Sequence, residues 1–208
     1  ELVGIRPSRT YKFLIITTPV GHYYSEPVNV KIEKSYTRAA SGGVGRAKAA
    51  GNYAASMYPA LQAQKEGFHQ LVWTDAAEHK YIEESGTMNI VFQIGDKLIT
   101  PDENHDTILR GITKRSVFEI AEKWGIEVEE RMITVAEIIE AAKNGSLKDV
   151  FGAGTAATIA PIAMIGYEDE KYMLPPVEER LLSNKIKKYL GDLKTGRIAD
   201  EFGWNLLV

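Results

Sequence analysis

The 208-residue chain contains no cysteine. That excludes a disulfide scaffold, a zinc site with thiolate ligands, a cysteine nucleophile and a dithiol redox pair, and it fits a reducing, cytoplasmic location. No apolar run approaches the roughly 18 residues that mark a membrane span, and no charged, apolar, small-residue series opens the chain as a secretory signal would. An excess of one charge is lacking too. The 25 Lys and Arg against 28 Asp and Glu leave a formal charge of -3, which gives no reason to expect nucleic acid or an anionic membrane as partner. The four histidines, His22, His69, His79 and His105, are scattered without metal-ligand spacing. What is present is the composition of an ordinary globular protein, 44% apolar and 25% charged with 18 Gly and 8 Pro, enough for a sizeable core. Glu1 stands where an initiator Met is expected, which implies that something preceded it.

Lys12 to Thr18, KFLIITT, reads as a buried strand, and Asn29 to Glu33, where Val30 and Ile32 alternate with Lys31 and Glu33, reads as another. From Asn52 to Glu66 the period becomes helical and Gly67 closes it; Pro59 should bend that helix or mark its first turns. Gln70 to Thr74 and Met88 to Ile94 are strand-like, and the Gly95-Asp96 link to Leu98-Ile99 predicts a hairpin. Val117, Phe118, Ile120, Ala121 and Trp124 define one face of a helix from Thr113, ended by Gly125. Thr134 and Glu137 have capping-box spacing for a short helix before Gly145. A last helix is predicted over Val177 to Leu190, with Lys185, Lys187 and Lys188 near its C-terminus, where cations suit the dipole. Strands with interspersed helices, and no repeat, low-complexity tract or linker, argue for one α+β or α/β domain.

Four segments could carry chemistry. The glycine-rich stretch from Ser41 to Ser56 fits neither a P-loop nor a dinucleotide fingerprint, because Lys48 stands where the third glycine of GxGxxG should be. Lys48 lies among Ala47, Ala49 and Ala50. It is either a solvated loop lysine or a desolvated amine with a lowered pKa, free for Schiff-base chemistry. Glu83 and Glu84 precede an apolar strand; they are a solvated edge pair, or one of them meets a cationic ring nitrogen. The helix at Thr113 opens with Lys114, Arg115 and Ser116 and has no carboxylate before Glu119. Cations there oppose the dipole by roughly 0.3 to 1 kcal/mol each, unless an anion binds the free amides, and Gly111 permits close backbone approach; the alternative is that both cations point into water. Gly152, Gly154 and Thr155 form a tight turn that suits either an anion or a packed core. Together the four segments favour an anionic phosphate, a flat body and a group that reacts with an amine.

The segments GGVGRAKAAGNYAAS, IEESGTMNIVF, ILRGITKRSVFEIAEKWGIEVEER and VFGAGTAATIAPI resemble, in order and spacing, the branched-chain amino acid aminotransferases, pyridoxal phosphate (PLP) enzymes of fold type IV. The likeness runs from Thr18 to the FGW at Phe202 to Trp204, and Gly86-Thr87-Met88-Asn89 favours this group over the D-amino acid aminotransferases and aminodeoxychorismate lyases of the same fold. The resemblance implies an α+β large domain spanning residues 1–208, with a mixed, barrel-like sheet and surrounding helices, and with the family's smaller N-terminal domain absent. It implies a homodimer acting on small amino acids and 2-oxo acids, exchanging amino groups between Leu, Ile or Val and 2-oxoglutarate. Lys48 would form the internal aldimine and shuttle the proton. Glu84 would keep the pyridine nitrogen protonated and Tyr53 would donate to the ring phenolate. Ile112 and Thr113 would offer amides to the phosphate beside the Thr155 hydroxyl, with Arg38 as a cationic neighbour of that phosphate. Thr155, Ala156 and Ala157 would hold the substrate carboxylate, supported by Thr87. Mammalian members carry a thiol pair where this chain has Ala157 and Ala160, so thiol regulation is not available. The absent domain supplies a phosphate-binding arginine and much of the side-chain pocket. This leaves two alternatives open: an aminotransferase of other specificity, such as for D-amino acids, or a non-catalytic PLP-binding fragment.

Overall fold

The computed structural model describes residues 4–19, 21 and 23–206; Glu1 and His22 lie outside the described residues. In chain order the elements are β1 (Val28–Ile32), α1 (Ala50–Lys65), β2 (Gln70–Thr74), β3 (Ile82–Ser85), β4 (Asn89–Ile94), β5 (Lys97–Thr100), α2 (Ile112–Lys123), β6 (Val128–Glu130), α3 (Val135–Lys143), β7 (Leu147–Gly154), β8 (Thr158–Tyr167), β9 (Glu170–Met173) and α4 (Leu181–Lys194). The strands form one mixed sheet in the order β3-β2-β1-β8-β7-β4-β5-β6, with β9 on β8. β1 runs parallel to β2 and to β8, and β5 parallel to β6; the other pairs are antiparallel. β3 and β4 stand far apart in that order, yet a tight turn joins them through paired Ser85 and Met88. The sheet therefore curls into a half-barrel, and the expected α+β, barrel-like architecture is what is found.

Period-2 alternation decides which layer each strand residue enters. In β4, Ile90 and Phe92 enter the core inside the curl together with Val30, Val72, Ile138 and Ile162, whereas Val91 enters the core under α2 and α4 with Phe118, Phe151 and Leu190. A third cluster packs α1 on β2 through Ala63, Phe68, Leu71 and Trp73. Pro161 sits where β8 changes neighbours, from β7 on one side to β1 and β9 beyond it, so its missing N–H falls at a break in the ladder. Thr134 caps α3, its Oγ1 accepting from the Glu137 N–H at 3.1 Å, but the box is only half made, because the Glu137 carboxylate pairs with Arg131.

Three local expectations need correction. Residues 12–18 form no strand, and Phe13, Leu14, Ile15 and Ile16 are exposed, because strand propensity yields a strand only where a partner offers a ladder. Pro59 is buried in the interior of α1 rather than in its first turns. The last helix begins at Leu181 after a 3-10 turn at Val177–Glu179 and runs on to Lys194, so Lys185, Lys187 and Lys188 are mid-helix. Its start is set by Arg180, whose guanidinium bonds the Asp149 carboxylate at 3.0 Å and donates to the carbonyls of Ile162 and Pro175. Among the described residues no helix is long and apolar enough to cross a membrane, and no group of three or more His, Cys, Asp or Glu is placed to hold a metal ion.

Candidate active site

The loop after β1 carries Arg38 and Lys48, and it is tied down by side chains that bond its backbone. Asn52 Nδ2 donates to the carbonyls of Val44 and Ala47, both at 2.9 Å, fixing the Lys48 turn to the first turn of α1. Arg38 Nη2 donates to the carbonyls of Gly45 and Thr107, joining this loop to the one before α2. Gly45 makes that approach possible, since a Cβ there would lie 2.7 Å from the backbone of Thr107.

These loops, the β3–β4 turn and the N-terminus of α2 enclose a cavity of about 400 Å³. Arg38, Lys48, Tyr53, Glu84, Thr87, Ile112, Thr113 and Thr155 all line it. Ala156 and Ala157 do not; they line an adjoining open cavity that shares Lys48, Tyr53, Thr87 and Thr155. Lys48 is exposed at the mouth, with Nζ 5.7 Å from the Tyr53 ring centroid, so of its two readings the solvated loop lysine is the one found.

Glu84 is the most enclosed polar group of the site, 4% exposed, and Glu83 is buried beside it, so the reading as a solvated edge pair is wrong. Glu84 Oε1 accepts from the Leu109 N–H at 2.8 Å and from Asn89 Nδ2 at 3.2 Å, while Oε2 pairs with Arg38 Nη2 at 2.7 Å. Burial pushes Glu84 up to about 7; Arg38, the Leu109 N–H and Lys48 pull it down, and the neighbouring Glu83 charge adds to the rise. Arg38 was expected beside the phosphate. Its Nη2 is instead occupied by Glu84 and two backbone carbonyls, which makes it the counter-ion of that carboxylate.

The opening of α2 is shaped for an anion. Gly111 is its N-cap, no side chain caps it and the first turn contains no carboxylate. The amides of Ile112 and Thr113 are among those a helix leaves without an internal partner. Lys114 does not point into water and does not face the dipole alone: it is fully buried between Glu103 at 2.6 Å and Glu130 at 3.0 Å. Arg115 is exposed.

Asn89 was missed as a site residue. Its Nδ2 also donates to the Leu109 carbonyl at 2.8 Å, so one amide links Glu84 to the loop that leads into α2. The signal was an Asn opening a strand whose next three residues are apolar, where a buried amide needs partners. A Cβ at Gly111 would stand 1.8 Å from Asn89 Oδ1, and that side chain is held in place by its other bonds. Gly111→Ala is therefore expected to displace Asn89 and reduce affinity for a phosphate ligand about tenfold or more, the size of losing one charge-assisted hydrogen bond. Isothermal titration with PLP would measure it, and an unchanged affinity would contradict this geometry.

A buried carboxylate, an exposed amine, a phenol and an uncapped helix N-terminus thus surround one cavity. The profile of the amino-transferase class IV family matches residues 3–165, and the chain belongs to that family. Branched-chain-amino-acid aminotransferase 2 of Bacillus subtilis (strain 168) is 43% identical to it over 205 residues, 97% of this chain and 56% of that protein. Among solved structures, the branched-chain aminotransferase of Thermoproteus uzoniensis with norvaline has a TM-score of 0.75 at 27% identity, over 90% of this chain and 58% of that one. The PLP form of the Thermobaculum terrenum branched-chain amino acid aminotransferase has a TM-score of 0.68 at 25% identity, over 83% of this chain and 52% of that one. The chain thus spans just over half the length of the relatives it matches.

Proposed function

We propose that the protein is a PLP-dependent aminotransferase that exchanges amino groups between Leu, Ile or Val and 2-oxoglutarate, with residues 1–208 as its large, cofactor-binding domain. The observation that carries this is the convergence of Lys48, Glu84 and the uncapped start of α2 on one cavity. The residues present fit PLP: free amides for the phosphate, a buried carboxylate for the ring nitrogen, Tyr53 for the phenolate and Lys48 for the aldehyde. That group supplies, when bound, a carbon that joins amines and a ring that accepts the electrons of a broken Cα–H bond.

The amides of Ile112 and Thr113, with the Thr155 hydroxyl, would hold the phosphate. Glu84 would accept the ring N–H and Tyr53 would donate to the ring phenolate. Lys48 Nζ would tether the cofactor and, once the substrate amine replaces it there, would carry the proton from the substrate Cα to the cofactor carbon. Thr155, Ala156 and Ala157, with Thr87 behind them, receive the substrate carboxylate where the two cavities meet.

Exposed Phe13, Leu14, Ile15 and Ile16, with Met57, Tyr58 and Leu61 of α1, support a homodimer, because apolar surface of this extent calls for a cover. The absence of cysteine supports a cytoplasmic location.

Steady-state rates on Leu, D-Ala and an aromatic amino acid with 2-oxoglutarate test the substrate; a preference for D-Ala would refute it. Glu84→Ala is expected to lower the rate by about 10²- to 10³-fold, the usual cost of one aimed electrostatic contact, and a normal rate would refute the role. The raised Glu84 value has a second consequence. Stability that Glu84 contributes to the cofactor-free protein is fully present below its ordinary value of 4.5 and is lost as pH rises through about 7. Urea midpoints should therefore fall over that interval, and Glu84→Gln should remove the part of the fall that Glu84 causes.

A further inference from the structure

Arg38 stands in the cavity wall without a task in the reaction described above. Its side chain and that of Glu84 are only 8% and 6% exposed, and their closest atoms are 2.7 Å apart. The guanidinium of Arg38 is thus a cation set directly against the Glu84 carboxylate. The other groups facing Glu84 come from every neighbouring element: the Leu109 N–H before α2, Asn89 at the start of β4, Lys48 before α1 and Glu83 next to it on β3. Arg38, Asn89 and the Leu109 N–H occupy three of the acceptor positions of the carboxylate. An ionised carboxylate offers about four, which leaves room for one further donor.

We propose that Arg38 is a positioning residue for amino transfer, holding Glu84 ionised and aimed so that it can keep the cofactor's ring nitrogen protonated. This rests on the reading of the cavity as a PLP site. Burial opposes the charge on Glu84, and Arg38 is the largest influence that restores it. Without Arg38, Glu84 keeps a proton of its own, no longer attracts the ring proton, and leaves the ring nitrogen neutral. The competing role for Arg38 is mechanical, since it also ties Gly45 to Thr107. In that case its loss would loosen two loops without altering where the ring proton resides.

The test is the nitrogen-15 shift of PLP labelled at the pyridine nitrogen, bound to the intact chain and followed with pH. Wild type and Arg38→Lys are expected to hold the ring nitrogen protonated. In Arg38→Met the midpoint for ring deprotonation should fall by about one unit or more, the effect of removing an opposite charge at contact distance. A folded Arg38→Met protein with the wild-type shift and midpoint would overturn the proposal. If Arg38→Met does not fold, Arg38→Met/Glu84→Gln decides: it should fold, because the stranded carboxylate is gone, and failure to fold would assign Arg38 the mechanical role and overturn the proposal. Failure of wild type to take up labelled PLP would instead overturn the reading of the cavity, a separate result.

Discussion

Replacing Lys48 with alanine is expected to abolish amino transfer, with a fall of roughly 10⁴-fold or more, because in the proposed mechanism one side chain is both the amine that holds the cofactor and the base that moves the proton. The geometry makes the loss chemical rather than structural. Lys48 is exposed at the mouth of the cavity, and an exposed side chain removed from such a place changes stability by only about 0.5 kcal/mol. The loop that presents it is held by Asn52 and Arg38, which remain. The variant should accordingly unfold at the wild-type urea concentration and still bind PLP through its phosphate, the Glu84 contact and Tyr53, without a covalent link. A folded Lys48→Ala protein of near-normal rate would contradict the assignment.

The second large effect lies far from the chemistry. Arg180→Met is expected to destabilise the fold by about 3–5 kcal/mol, because it strands the Asp149 carboxylate in the interior. Both side chains are 1% exposed, and Arg180 also satisfies the Ile162 and Pro175 carbonyls, so one guanidinium joins β7, β8 and the chain entering α4. Burial pushes the Asp149 carboxyl up. Arg180→Met/Asp149→Leu should recover much of the loss, since apolar groups of similar volume often replace a buried pair at little cost. Urea midpoints at constant slope measure both, and a single variant as stable as wild type would show that the pair is not what anchors α4.

How far the sequence shows this molecule differs between segments for physical reasons. The strands around Val72 and Phe92, the Gly95-Asp96 hairpin, α2 and the Thr134 cap are legible because each depends on local period or on a turn residue. Residues 12–18 misled because an apolar, β-branched segment is a strand only where it meets a ladder, and pairing is a property of the whole sheet. The start of α4 was misplaced because Arg180, whose contacts lie on β7 and β8, ends the turn before it. In the site, Lys48, Glu84 and the α2 N-terminus were each visible as weak local signals, and the family resemblance joined them. The pairing of Arg38 with Glu84 was not visible: it links residues 46 positions apart, and burial, which no single segment reveals, gives it its strength. Lys114 misled in the opposite way, since its carboxylate partners Glu103 and Glu130 are brought to it by β6 and by the loop before α2.

The account centres on Lys48 as the amine of a PLP site, and borohydride reduction of the chain incubated with PLP, followed by peptide mapping, tests it most directly. One reduced, phosphopyridoxyl-bearing peptide containing Lys48 is the expected product. A label on another lysine, or none, would contradict it.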